Sequence, residues 1–240
     1  MIPKIIHYVW LGDNEPPKVV KKCIKSWKEK CPDYEIKKWN ESNFDINSNR
    51  YTKEAYKAKK YAFVSDYIRL YALYTYGGIY MDTDVEVYKN FDDILDNHCI
   101  FGFEEKDYIA TSFMAAEKKN EFIKEFMNGY ENESFKNNDG TLNQSTNVER
   151  LTSLLVSKGL KRNGKIQSIN QIKIYPKEYF SPYDYINCVN EKTNNSYCIH
   201  KFYVSWMPWY QRVKKNIKSI LVRVVGKKNL IKLRKIKDGE

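Results

Sequence analysis

No apolar run in the 240-residue chain approaches the ~20 residues that a membrane-spanning helix needs. With 30% charged residues and a mean hydropathy of −0.68, an integral membrane protein is excluded. The opening MIPKIIHYVWLGDNEPPK has no basic n-region and no small-residue cleavage site, so its apolar stretch from Ile5 to Leu11 reads as a first strand rather than a signal peptide. Cysteine is sparse: Cys23, Cys31, Cys99, Cys188 and Cys198 form an odd, scattered set without a CxxC. That spacing excludes a disulfide framework and a zinc ribbon, and points to a reducing cytoplasm. Internal repeats and low-complexity blocks are also missing.

The net charge of +11 suggests a nucleic-acid partner until it is located. Eleven Lys or Arg and no acid fall between Gln211 and Lys237, whereas residues 1–210 carry 30 basic and 28 acidic side chains. The body is near neutral and the tail carries the charge. This divides the chain into a near-neutral body, 1–210, and a basic tail, 211–240. Ile217, Ile220, Leu221, Val224 and Val225 recur at helical spacing among the basic residues, the pattern of an amphipathic helix lying on a membrane. Aromatic residues are not interleaved there, which argues against nucleic acid.

Along the body, KIIHYVWLG reads as a buried strand and residues 17–30 as a helix. YEIKKW is a second strand, and residues 54–76 form one long helix or two joined, stopped by Gly77-Gly78. GIYMDTDVEV is an apolar strand interrupted by two carboxylates, and IFGFE is another strand. IATSFMAAEK leads into a helix at about 120–130, the polar stretch 131–147 is a mobile loop, and 151–160 is helical. KIQSINQIKIYPKEYF reads as strand, turn, strand. Helices between early strands predict an α/β sandwich with a mainly parallel sheet.

Chemistry concentrates in SDYIRLYALYTYGGIYMDTDVEV, residues 65–87. Strand alternation predicts that Asp82 and Asp84 face one side at a strand's carboxyl end, where α/β sheets bind ligands. Two carboxylates there suit Mg²⁺ or Mn²⁺ sharing its shell with substrate phosphates. The plainer alternative is a solvated turn with Asx hydrogen bonds. Asp66 and Arg69, at i and i+3, are either a surface salt bridge or a pair on the rim of the same cleft.

IPKIIHYVWLG, CPDYEIKKWNESNFDI and AFVSDYIRLYALYTYGGIYMDTDVEV together resemble glycosyltransferase family 32, the DXD-containing group of bacterial capsular-polysaccharide and lipopolysaccharide transferases and fungal mannosyltransferases. The resemblance runs over residues 1–206. It implies a glycosyltransferase-A type, Rossmann-like fold, a nucleotide-diphospho-sugar donor (a UDP-sugar ahead of GDP-mannose), Mn²⁺ or Mg²⁺, and retention at the anomeric carbon. By the same resemblance Asp84 coordinates the metal, Asp82 contacts metal and donor ribose, and Asp66 with Arg69 holds the donor sugar. Trp10 falls where the nucleotide base stacks, with a plain core tryptophan as the alternative. His200 is matched to a metal ligand, the alternative being a satisfied surface histidine. Ser205 is placed on the donor side, and Trp206 closes over the pyrophosphate or is a plain core residue. The segment 139–147 lies near the cleft without an assigned role.

The acceptor is expected to be a glycan or lipid-linked oligosaccharide, met on the cytoplasmic, anionic face of the plasma membrane through the tail. Two other readings compete. IYMDTDVEV also fits a haloacid-dehalogenase-like phosphohydrolase, with Asp82 as nucleophile and Asp84 as acid, although that chemistry wants its DxD on the first strand. The tail alone would make a non-enzymatic, membrane-binding basic module.

Overall fold

A computed structural model describes residues 1–105, 107–185 and 187–203; the expected amphipathic helix at 211–240 lies outside them, as do Ser205 and Trp206. The strands are β1 (Ile5–Val9), β2 (Glu35–Trp39), β3 (Gly78–Met81), β4 (Val85–Val87), β5 (Cys99–Gly102), β6 (Phe113–Ala116), β7 (Gln167–Ile169), β8 (Ile172–Tyr175), β9 (Tyr183–Asp184), β10 (Val189–Asn190) and β11 (Cys198–His200). The helices are α1 (Lys18–Lys30), α2 (Arg50–Lys57), α3 (Tyr61–Tyr76), α4 (Glu121–Glu131), α5 (Asn147–Ser157) and α6 (Lys177–Phe180). No helix among the described residues is long and apolar enough to cross a membrane.

One seven-stranded sheet runs β2-β1-β3-β6-β5-β8-β7. β1 pairs in parallel with β2 and β3, and β5 with β8; β6 runs antiparallel to both β3 and β5. The sheet is therefore mixed α/β, with β1, β3 and β5 all pointing the same way. Alternation divides two cores. Tyr80, Met114 and Phe101 face α3 and α4, while Ile79, Met81, Phe113 and Ile100 face the layer containing Trp27 and Phe180.

Several boundaries differ from the sequence reading for local reasons. The long helix begins earlier, capped by the Asn49 side chain, and breaks into α2 and α3 at Lys59, whose φ is 57°. GIYMDTDVEV is two strands: β3 stays in the sheet and β4 leaves it to pair with β11. KEYF is the short helix α6 rather than strand. The polar stretch after α4 buries Phe135 against Tyr51 and Phe63 and closes on a Lys136–Leu142 bridge.

The α3–β3 turn fixes where the site forms. Gly78 has a φ of 105°, and a Cβ there would lie 2.6 Å from the Ile5 carbonyl oxygen, so only glycine lets β3 close on β1. His7, fully buried, donates from Nε2 to the Gly77 carbonyl at 2.8 Å and accepts from the Trp39 indole at Nδ1 (3.1 Å). Burial lowers its pKa to about 4, keeping it a neutral staple among β1, β2 and the turn.

Candidate active site

β3 ends at Met81, and Asp82-Thr83-Asp84 then turns the chain, closed by the Val85 N–H donating to the Asp82 carbonyl at 3.0 Å. Strand alternation is therefore not what brings the carboxylates together, and the expectation of an extended DTD is corrected. Asp is favoured at the first position of such a turn, and the turn ejects β4 from the sheet. β4 pairs with β11 in the register His200↔Val85, which carries the imidazole to Asp84.

In that arrangement His200 Nε2 lies 3.3 Å from Asp84 Oδ1, and its Nδ1 lies 3.3 Å from Glu104 Oε1. The Tyr203 N–H donates to Asp84 Oδ2 at 2.7 Å, leaving Oδ1 for another partner. Burial disfavours charge on both side chains, but their mutual attraction prevails: Asp84 sits below the usual carboxylate range and His200 well above the usual imidazole value. His200 is thus no satisfied surface histidine.

Asp66 and Arg69 are not a surface pair either. Arg69 Nη2 meets Asp66 Oδ1 at 2.8 Å with side-chain exposures of only 5% and 11%. Arg69 Nη1 donates to the Thr111 carbonyl at 2.7 Å and reaches Asp82 Oδ1 at 3.4 Å. Its guanidinium lies 4.6 Å from the centre of the Tyr80 ring, whose hydroxyl donates to Asp82 Oδ1 at 2.9 Å. Asn147 Nδ2 donates to Asp66 at 3.3 Å and is itself held by the Tyr130 hydroxyl. Burial pushes the Asp66 carboxyl up to about 6, opposed by Arg69 and reinforced by the Asp82 charge. Burial also works against the Arg69 charge, yet Tyr80, Asp82 and Asp66 keep its pKa above the ordinary arginine value.

Trp10 follows β1 at the same carboxyl edge as the DTD turn. Its indole donates to the Asn14 carbonyl at 2.8 Å, and its ring is half-buried and belongs to neither core. Among the described residues, Trp27 and Trp39 are the core tryptophans. Sequence reasoning placed the segment 139–147 near the cleft, where Asn147 indeed meets Asp66, but gave it no role, and it missed Glu104, Thr111 and the Tyr80 hydroxyl. Tyr80 lay inside the motif, but no spacing signal marks Glu104 or Thr111.

Asp82, Asp84 and His200 each offer a ligand atom, all within 4.8 Å of one another. Two carboxylate oxygens and one imidazole nitrogen fit a divalent cation. Three protein ligands leave room for substrate oxygens.

Because Arg69 neutralises two carboxylates at once, Arg69→Met should destabilise the fold by about 3–5 kcal/mol, the usual cost of orphaning a buried charge. Adding Asp66→Asn in the same chain should recover part of that loss. Urea unfolding followed by circular dichroism measures both, and a loss below about 1 kcal/mol for Arg69→Met would show the pair to be solvent-screened.

Residues 17–101 match the glycosyltransferase sugar-binding region containing the DXD motif, a stretch that holds Asp66, Arg69, Asp82 and Asp84 but neither Trp10 nor His200. Over 105 residues the chain is 32% identical to inositol phosphoceramide mannosyltransferase 3 of Schizosaccharomyces pombe, covering 39% of this chain and 27% of that one. The chain thus spans little more than a quarter of that relative's length. An uncharacterized glycosyltransferase of Acanthamoeba polyphaga mimivirus is 28% identical over 224 residues, 87% of this chain and 85% of its own. Among solved structures, a glycosyltransferase involved in the glycosylation of the major capsid of PBCV-1 aligns with a TM-score of 0.49 at 12% identity, over 88% of this chain and 98% of its own. Residues 17–101 are thus similar to the DXD-containing sugar-binding region of glycosyltransferases, presented here by a mixed α/β sheet.

Proposed function

We propose that this cleft moves a hexose from a nucleotide-diphospho-sugar to a hydroxyl of a glycan or lipid-linked acceptor, with a divalent cation and with retention at the anomeric carbon. The observation that carries the reading is the meeting of Asp82, Asp84 and His200 beside the buried Asp66–Arg69 pair at the sheet's carboxyl edge. A cation held by the three would supply Lewis-acid stabilisation of the departing diphosphate. Asp66, oriented by Arg69 and Asn147, accepts hydrogen bonds from hydroxyls of the donor sugar. Trp10, half-buried at the same edge, stacks the base, a contact worth ~1–3 kcal/mol. We favour a UDP-sugar over GDP-mannose as donor.

In the transfer, the bond from the anomeric carbon to the diphosphate oxygen breaks and the acceptor oxygen bonds to that carbon from the same face. The acceptor's proton passes to the departing diphosphate. We favour this same-face route over a double displacement on the strength of the family resemblance; Asp66 and Asp82 are each held by Arg69 through Oδ1.

Asp84→Ala should weaken Mn²⁺-dependent binding of the nucleoside diphosphate roughly ten- to more than a hundredfold, as expected for losing one charged contact. Calorimetry with circular dichroism as the folding check measures this, and unchanged affinity in a folded variant overturns the assignment.

For location, we propose the cytoplasmic face of an anionic membrane, on the strength of the eleven positive charges and the apolar stripe after Tyr210. Each basic residue near such a surface contributes ~1 kcal/mol, screened by salt. A chain ending at Tyr210 should lose co-sedimentation with anionic vesicles yet keep soluble-donor turnover. Full-length protein that ignores such vesicles at low salt would refute the location.

A further inference from the structure

The loop after β5 holds a carboxylate against the back of the His200 ring. β5 runs in the same direction as β3, so the chain leaving Gly102 emerges at the edge that carries the DTD turn. Phe103 and Ile109, both fully buried, close this loop by a bridge, and the Glu104 N–H donates to the Tyr108 carbonyl at 2.9 Å. The Phe103 N–H donates to the Tyr175 carbonyl at 2.9 Å, and the Ala110 N–H to the Gly102 carbonyl at 2.8 Å. Glu105 is turned away to Lys177, at 2.7 Å. Glu104 alone of the two faces the imidazole, with its Oε1 3.3 Å from Nδ1, while Nε2 lies 3.3 Å from Asp84 Oδ1. Side-chain exposures of 17% for Glu104 and 14% for His200 keep water from substituting freely. Phe202 packs on the ring with 4.0 Å between centroids.

We infer that Glu104 is a positioning residue that fixes the orientation of the His200 ring by accepting from Nδ1–H, with Nε2 presented to the Asp82–Asp84 side. The physical reason is simple. A nitrogen that gives its lone pair to a cation carries no proton, so the proton sits on the other nitrogen and needs an acceptor there. Glu104 supplies that acceptor. Because it binds the ring nitrogen opposite Nε2, it is not itself one of the ligands that converge with Asp82 and Asp84. The loop's backbone bonds hold the carboxylate in place, so the ring's orientation is set before any cation arrives. This inference rests on reading His200 as a cation ligand.

Mn²⁺ titration of the full chain, with free Mn²⁺ read by electron paramagnetic resonance, tests it without reference to turnover. Glu104→Ala should weaken Mn²⁺ binding by roughly ten- to a hundredfold, the usual effect of removing a carboxylate behind a ligating histidine. Glu104→Gln, whose amide oxygen still accepts from Nδ1–H, should stay within about threefold of the wild type, since it keeps the hydrogen bond. The double variant Glu104→Ala with His200→Ala should bind no more weakly than His200→Ala alone, because Glu104 acts through the ring. Wild-type affinity in folded Glu104→Ala, or losses that multiply in the double variant, would overturn the inference and leave the site's reading intact. Wild-type affinity in His200→Ala, or no Mn²⁺ binding by the wild type, would overturn both. Should Glu104→Ala fail to fold, nitrogen-15 spectra of the wild type with Mg²⁺ decide: a protonated Nδ1 together with a bare Nε2 on His200 supports the inference, and a bare Nδ1 or a protonated Nε2 refutes it.

Discussion

An arginine with 4% of its surface exposed has five N–H donors to satisfy and a full charge to neutralise, and nearly everything around the site follows from how Arg69 does so. Its nitrogens reach the Ser65 and Thr111 carbonyls and the Asp66 and Asp82 carboxylates, and its face lies over Tyr80. These contacts tie α3 to the turn after β3 and to the chain entering β6. Desolvation of the charge is offset only while all of them hold, so the geometry is determined together. One consequence is functional: Asp66, read as facing the sugar, and Asp82, read as facing the cation, share a single counter-ion.

A second constraint sets where that counter-ion acts. Glycine at 77 and 78 lets α3 fold back so that β3 lies between β1 and β6, and His7 pins the turn from beneath. Parallel pairing of β1 and β3 then puts Trp10 and the DTD turn on one edge. β11 reaches the edge from far along the chain, and the β4–β11 ladder delivers His200 to it. The backbone donors are arranged to suit: Asp82 N–H bonds to Ser112, and Tyr203 N–H caps one oxygen of Asp84.

What could be read from the sequence was whatever has a local cause. The Gly-Gly stop, the apolar strand before Asp82 and the i, i+3 spacing of Asp66 and Arg69 are all short-range features, and each is found in place. The aspartates do converge, but through a turn rather than along a strand, because periodicity does not reveal that β4 leaves the sheet for β11. His200 was reached through resemblance, since a partner 116 residues away leaves no local trace. Glu104 was illegible for the same reason, and Asn147 was reached only as part of a segment placed near the cleft by resemblance: their roles depend on which loops a mixed sheet brings to one edge. Burial of Arg69 was equally hidden, because the same spacing describes an exposed helix pair.

The central claim is that this edge is a cation-dependent nucleotide-sugar site. Donor hydrolysis by the full chain, followed as released nucleoside diphosphate across UDP-Gal, UDP-Glc, UDP-GlcNAc and GDP-Man, with Mn²⁺ and after chelation, tests it most directly. Turnover of a UDP-sugar that requires the cation, with an aryl phosphate left intact, is the expected result. Turnover unaffected by chelation, or hydrolysis of the aryl phosphate with every nucleotide sugar untouched, would contradict it.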